Sequence, residues 1–237
     1  MKKIYLVVLV LLIGCSSDSV DSSDETPVII ETGLKDLATS KGKFIGNLMR
    51  DGFFDNHDIY NGAIDNILKT EYNALVTGNK LKMVNLLRDR PEDPFNIKIS
   101  DLNTYNIDRF VNYANKHNMK KRGHVMIWYK QIPNWLDEES KTWTSQQIYD
   151  FTESYIRALS RYTNGKIDEW DVLNEAIVFN GYRSNTWYEK VNVQENDNGE
   201  IGYLSYFSKL FKWAREENPD VKLFYNCLLY TSPSPRD

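Results

Sequence analysis

The sequence predicts an α/β protein built on a parallel sheet, and three observations carry that expectation. From about Leu34 onward, short apolar runs alternate with amphipathic stretches, the pattern of consecutive βα units. A doubly wound sheet and a (β/α)8 TIM barrel both satisfy it. No G-x-G-x-x-G turn follows any of the strand candidates, which lowers the nucleotide-binding version of the doubly wound form. Polar residues instead follow several of them: Gly78-Asn79-Lys80, Tyr129-Lys130-Gln131 and Asn174-Glu175. Polar groups gathered at strand C-termini are how barrel enzymes assemble a site. The pattern leans toward a (β/α)8 TIM barrel, of which about the first five βα units would be present, with the doubly wound sheet still open.

The elements follow in order. Phe44-Ile45-Gly46 reads as the first strand, and Ile64, Ile67 and Leu68 as the stripe of the helix after it. Ala74-Leu75-Val76 is the second strand. Ile107, Phe110, Val111 and Ala114 recur at helical spacing, so 101–118 is a helix. His124 to Tyr129 is the third strand. Thr144 with Gln147 forms a capping box, opening a helix through Ile148, Phe151, Ile156 and Leu159 that Gly165 can end. Trp170 to Leu173 is the fourth strand. Leu204, Phe207, Phe211 and Ala214 mark a helix stopped near Asn218-Pro219, and Val221 to Tyr225 is the fifth strand.

The N-terminus reads as an address. Lys2 and Lys3 precede an apolar run from Ile4 to Ile13, the length of a signal-peptide core and too short to span a bilayer as a helix. It ends in Leu12-Ile13-Gly14-Cys15, which resembles the lipobox of bacterial lipoproteins, in which the cysteine is lipidated and becomes the new N-terminus. Residues 1–14 are thus expected to be a lipoprotein signal peptide and 15–33 a polar linker rich in Ser, Asp, Glu and Thr. The folded part is expected over 34–226. The product is expected to be exported and anchored through Cys15 to a bacterial membrane, at the outer membrane or cell surface, since each buried methylene of an acyl chain contributes about 0.8 kcal/mol.

Composition narrows the function. The 237 residues are 26% charged and 41% hydrophobic with a formal net charge of −4, which argues against a nucleic-acid partner. Aromatic residues make up 13%; they serve core packing first, and their faces also suit sugar rings. Two cysteines make no disulfide framework. His57, His117 and His124 lack metal-ligand spacing, and no organic cofactor is implied.

Two segments carry chemistry. In the third strand, His124, Met126 and Trp128 share parity and are expected on one face, with Val125 and Ile127 on the other. A satisfied core histidine beside a core tryptophan fits this as well as a ring-shaped polar ligand does. In Trp170-Asp171-Val172-Leu173-Asn174-Glu175-Ala176, a carboxyl just past a buried strand loses solvation, which favours its protonated form and makes it a proton donor to a leaving group. The adjacent Asn174 can bond a substrate hydroxyl, although an Asn-Glu pair is also an ordinary turn.

Here the segments join into a resemblance. Trp170 to Ala176 is similar to the acid/base signature of glycoside hydrolase family 10, the endo-β-1,4-xylanases. Arg122-Gly123-His124-Val125-Met126-Ile127-Trp128, continuing through Gln131, Pro133 and Trp135, resembles that family's third-strand motif. Gly78-Asn79-Lys80-Leu81-Lys82 resembles its second-strand motif, and Leu223-Phe224-Tyr225-Asn226 the start of its fifth. The resemblance covers roughly 36–226. It implies that Glu175 is the general acid/base and that Asn174 bonds the 2-hydroxyl of the sugar at the cleavage point. It implies that His124, Trp128 and Gln131 line that subsite and that Asn79 and Lys82 contact xylan on the non-reducing side. It further implies a retaining mechanism with a second Glu as nucleophile, xylan or a related β-linked plant polysaccharide as substrate, and no cofactor.

The departures from that family are specific. Gly78 stands where it usually has a sugar-binding Glu, Lys80 replaces another Glu, Met83 a frequent Trp, and Tyr129 a His beside Trp128. After Asn226 the chain runs into 227–237, a Ser-Pro tail that continues no βα pattern and is expected to be non-native. The family's nucleophile follows the seventh strand, and no acidic residue here matches its motif, so the 237-residue chain by itself is expected to be inactive. A second reading, favoured by Gly78 and Tyr129, is a surface lipoprotein that captures glycan without cutting it.

Overall fold

A computed structural model of the chain describes residues 33–54, 58–178, 181–183, 190–191 and 202–227. The expected signal peptide, Cys15, nearly all of the linker, His57 and the tail after Cys227 lie outside these residues. Among the described residues no helix is long and apolar enough to cross a membrane.

In chain order the elements are α1 (Leu34–Ser40), β1 (Gly46–Met49), α2 (Asp51–Phe54), α3 (Asp58–Glu71), β2 (Ala74–Thr77), α4 (Met83–Leu86), a 3-10 turn (Ile99–Asp101), α5 (Tyr105–Lys116), β3 (Lys120–Trp128), α6 (Asn134–Glu139), α7 (Ser145–Thr163), β4 (Glu169–Asn174), β5 (Ile177–Val178), β6 (Gly181–Tyr182), α8 (Tyr203–Glu217) and β7 (Lys222–Asn226). Five strands form one parallel sheet in the order β1-β2-β3-β4-β7, and β5 and β6 form a small antiparallel hairpin. Sequential strands lie side by side throughout, as in a barrel; a doubly wound sheet would reverse direction at a switch point. The arrangement is a partial (β/α)8 barrel.

The two faces of the sheet differ. Leu48, Val76, Lys120, Arg122 and Glu169 are among the residues around an open cavity of about 370 Å³. Met49, Leu75 and Thr77, of opposite parity, are buried. The concave face carries a ladder of charge: Lys120 pairs with Glu169, and Arg122 reaches Glu169 at 3.9 Å and Asp171 at 2.6 Å. The apolar core includes side chains of α5, α7 and α8. Ile107, Phe110, Val111 and Ala114 of α5 are buried, as are Ile148, Phe151, Ile156 and Leu159 of α7. The capping box at Thr144 and Gln147 is present.

Trp170 anchors this core, fully buried with its indole nitrogen donating to Thr163 Oγ1 at 3.2 Å. Gly123 on the neighbouring strand lies flat against it. A Cβ there would fall inside van der Waals contact with three Trp170 ring atoms, so only glycine lets β3 and β4 pair over that ring.

Four expectations need correction. The first strand is Gly46–Met49, not Phe44-Ile45-Gly46. Ile45 instead donates its backbone N–H to Asn73 Oδ1 at 2.8 Å, and Phe44 is 63% exposed beneath the Lys120 ammonium. The α3 stripe is narrower than read, because Leu68 is buried while Ile67 is 49% exposed. In α8, Leu204 is exposed, and the buried stripe runs through Tyr206, Phe207, Leu210, Trp213 and Ala214. Finally, strict alternation fails in β3. Its register against β4 shifts between His124 and Ile127, and Val125, Met126 and Ile127 are all buried. A bulge of this kind re-aims side chains, which separates Met126 in the core from His124 and Trp128 in the site.

Candidate active site

The C-terminal ends of β1 to β4 and β7 bring most of the sequence-predicted residues to one rim. Glu175 follows β4 with φ of +56°, a conformation uncommon for a residue with a side chain. Two bonds hold its backbone there. Its N–H donates to Asn226 O at 2.9 Å, and its carbonyl accepts from Arg183 Nε at 3.0 Å. Its partly buried carboxyl accepts from the indole N–H of Trp128 at 3.1 Å. Backbone and side chain are thus fixed from β3, from β7 and from the segment after β6. Strain maintained by its surroundings in this way marks functional positions.

Asn174, one residue earlier, is buried. Its Oδ1 accepts from Asn226 Nδ2 at 2.7 Å, leaving its own amide N–H groups as the donors available at the rim. His124 is placed lower in β3. Its Nδ1 lies 2.8 Å from Asp171 Oδ2, and Asp171 Oδ1 accepts from Arg122 at 2.6 Å. The imidazole is therefore oriented by a carboxylate that is itself pinned by a guanidinium. Asp171 escaped notice in the sequence because it sits inside the strand among apolar neighbours.

On the β2 side, Asn79 and Lys82 form one unit. Lys82 Nζ donates to Asn79 Oδ1 at 2.9 Å and stands 4.6 Å above the Trp128 ring. Burial lowers the pKa of the Lys82 ammonium, against the opposite pull of the Asp51 and Glu175 carboxylates. The Lys82 ammonium thus feels the field of both carboxylates, one following β1 and one following β4. Gln131 is exposed with φ of +51°, and its carbonyl accepts from Val84 N–H at 2.9 Å. It belongs to the same rim, but its side chain makes no bond to the others. Tyr129 carries Arg183 over its ring at 4.1 Å and meets Trp128 edge-on at 5.7 Å.

Sequence reasoning missed Asp51, Asp171 and Arg183. Asp51 lies in a segment read only as following a strand candidate, and Arg183 follows a hairpin with no patterned apolar residues. Asn226 belongs to the fifth-strand motif, and the structure adds its double tie, to Glu175 N–H and to Asn174 Oδ1. Among the described residues no three His, Cys, Asp or Glu side chains gather as a metal site.

The site can do three things. It can offer a carboxyl in a partly enclosed setting, stack a ring against an indole, and meet hydroxyls with amide, imidazole and ammonium groups. Comparison with known proteins identifies the family. The family model described as glycosyl hydrolase family 10 matches residues 33–233. The chain is 28% identical over 222 residues to endo-1,4-beta-xylanase B of Thermotoga neapolitana, covering 92% of this chain and 54% of that protein. It is 32% identical over 137 residues to endo-1,4-beta-xylanase A of Xylanibacter ruminicola, covering 56% of this chain and 34% of that one. Among solved structures, native xylanase 10B of Thermotoga maritima superposes with a TM-score of 0.68 at 26% identity, over 82% of this chain and 53% of that one. Xylanase 10B of Thermotoga petrophila RKU-1 in complex with xylobiose superposes at 0.66 and 26% identity, with the same coverage. The chain spans about half the length of the three Thermotoga relatives and about a third of the Xylanibacter one.

Proposed function

Because the chain belongs to glycosyl hydrolase family 10, we propose that it is the acid-bearing part of an endo-1,4-β-xylanase that cleaves internal β-1,4-xylosidic bonds of xylan with retention. The observation that carries this reading is the Trp128–Glu175 bond at the rim. An indole that can stack on a pyranose is in direct contact with a carboxyl placed to protonate the glycosidic oxygen.

In this reading Glu175 donates its proton to the leaving sugar and later, as carboxylate, takes one from the incoming water. Asn174 donates to the hydroxyl next to the anomeric carbon. His124 and Trp128 line the sugar at the cleavage point, with Gln131 at its edge. Asn79 and Lys82 hold the neighbouring sugar. Retention requires a second carboxyl about 5–5.5 Å from the first, and that nucleophile is assigned to the remaining units of the eight-fold barrel. The xylanase relatives support xylan as substrate over capture without cleavage.

The Lys2-Lys3 pair, the apolar run and Cys15 support a further part of the proposal, that the protein is exported and lipid-anchored. Cys15→Ala is expected to release it from the membrane fraction; continued membrane association of that variant would refute the anchor.

The catalytic test is Glu175→Ala in the complete reading frame that carries this chain. Activity on natural xylan should collapse, while aryl glycosides with very good leaving groups, which need little protonation, retain a substantial share. Equal activity of variant and parent on both substrates would refute the assignment.

A further inference from the structure

Gly78 raises a question that its backbone does not answer. It stands at the end of β2 with a φ outside the positive range, so its conformation does not require glycine. What a side chain there would meet is Asp51: a Cβ at Gly78 would lie 3.3 Å from Asp51 Oδ1, close enough that the carboxylate would have to give by a few tenths of an ångström, and 3.8 Å from Met49 O. The room above Gly78 is filled by a carboxylate arriving from the end of β1.

That carboxylate is held in place. Asp51 Oδ1 accepts from the backbone N–H of Asn79 at 2.9 Å, and Oδ2 accepts from Asn79 Nδ2 at 2.7 Å. The second bond fixes the Asn79 amide, turning its oxygen toward Lys82 at 2.9 Å. The turn itself has other ties, since the Asn79 carbonyl accepts from Lys82 N–H and from Asn85 Nδ2, both at 2.9 Å. Asp51 is only partly buried. A carboxylate offers roughly four acceptor positions, and Asn79 occupies two of those on Asp51.

We propose that Asp51 is a sugar-binding carboxylate of this cleft, accepting a hydroxyl of the pyranose held by Asn79 and Lys82, delivered from β1 into the space that Gly78 leaves open. Asp51 as acceptor and Lys82 as donor, with Asn79 between them, present the pattern that adjacent ring hydroxyls need. This inference rests on the family 10 reading above and adds to it a binding residue just past β1, at the start of α2.

The test is isothermal titration of xylotriose into the full chain, with melting curves run in parallel. Asp51→Asn keeps the shape and removes the charge; it should weaken xylotriose about tenfold, the scale of one lost hydrogen bond to a charged group, with the melting temperature little changed. Asp51→Ala should weaken it at least as much. The double variant Asp51→Ala/Gly78→Glu, which grows a carboxylate into the same space from β2, should recover most of the loss. A merely structural role would move the melting temperature and would not be rescued. Wild-type affinity in Asp51→Asn, or no recovery in the double variant, overturns the proposal and leaves the family reading standing. A wild-type chain that binds no xylotriose overturns both.

Discussion

The β3–β4 half of the rim and the β1–β2 half hold their polar side chains by different means. On the β3–β4 side the strands do the work. A bulge at His124–Ile127, a left-handed Glu175 and the bonds from Asn226 and Trp128 fix the site over a fully buried Trp170. On the β1–β2 side the strands are four residues each, and the fixing is done by side chains, Asp51 to Asn79 to Lys82. The first arrangement suits a reacting carboxyl, whose position must be held within a fraction of an ångström. The second suits recognition, in which a carboxylate need only reach a hydroxyl of the bound sugar.

The difference predicts different losses. The largest belongs to Glu175→Gln, which in the complete reading frame that carries this chain should lower turnover on xylan about 10²–10⁴-fold, the usual share of general acid–base catalysis, with KM little altered. Asp51→Asn should do the reverse. Comparable kcat losses from both would erase the distinction between the halves.

Next comes the packing under the β3–β4 half. Gly123→Ala drives a methyl into the Trp170 ring and should cost about 1–3 kcal/mol of stability, read from denaturant melts. A neutral result would mean that the two strands have slack and that Glu175 is not held as described.

Lys82→Met is a smaller effect with two signs. It should weaken xylotriose several-fold, on the order of one hydrogen bond, and raise the melting temperature at neutral pH. Burial lowers the Lys82 pKa below its unfolded value of 10.5, so at neutral pH the folded state carries the full penalty of a buried ammonium. As pH rises from the folded value toward 10.5, the unfolded chain binds more protons than the folded one, and wild-type stability rises relative to the variant. The advantage of Lys82→Met should therefore shrink through that window. A variant less stable than wild type at pH 7 would contradict this.

The smallest effect lies far from the rim. Glu217 of α8 meets Arg161 at 2.6 Å and Arg157 at 2.9 Å across to α7. The Arg161 hydrogen bond lowers its pKa, with burial opposing and Arg157 assisting. That stabilisation is present above its unfolded value near 4.5 and is lost as pH falls through the lower folded value. Glu217→Gln should cost no more than about 1 kcal/mol at pH 7, measured by thermal melts, and leave xylotriose affinity unchanged.

Legibility in the sequence follows the same divide. The β3–β4 half is legible because its polar residues sit in contiguous motifs: Trp170 to Glu175 carries the proposed acid, its neighbour and its strand together. Helices with strong periodicity, α5 and α7, also lay close to expectation. The β1–β2 half is legible only as far as Asn79 and Lys82, because its key contact joins Asp51 to Asn79 across 28 positions, and neither residue signals the other. β1 was misplaced because Phe44 and Ile45 are apolar but flank the strand, while Asn47 interrupts its apolar run. The bulge in β3 was invisible for a different reason: alternation counts residues, and a bulge inserts one without changing composition.

The central claim is that the rim holding Trp128 and Glu175 is where the sugar chain binds. It is tested most directly by following the indole N–H signals of the six tryptophans by NMR while xylotriose is added. The account predicts that the Trp128 signal, assigned with Trp128→Phe, moves with the titration while that of buried Trp170 stays fixed. A Trp128 signal unmoved at saturating xylotriose would contradict it.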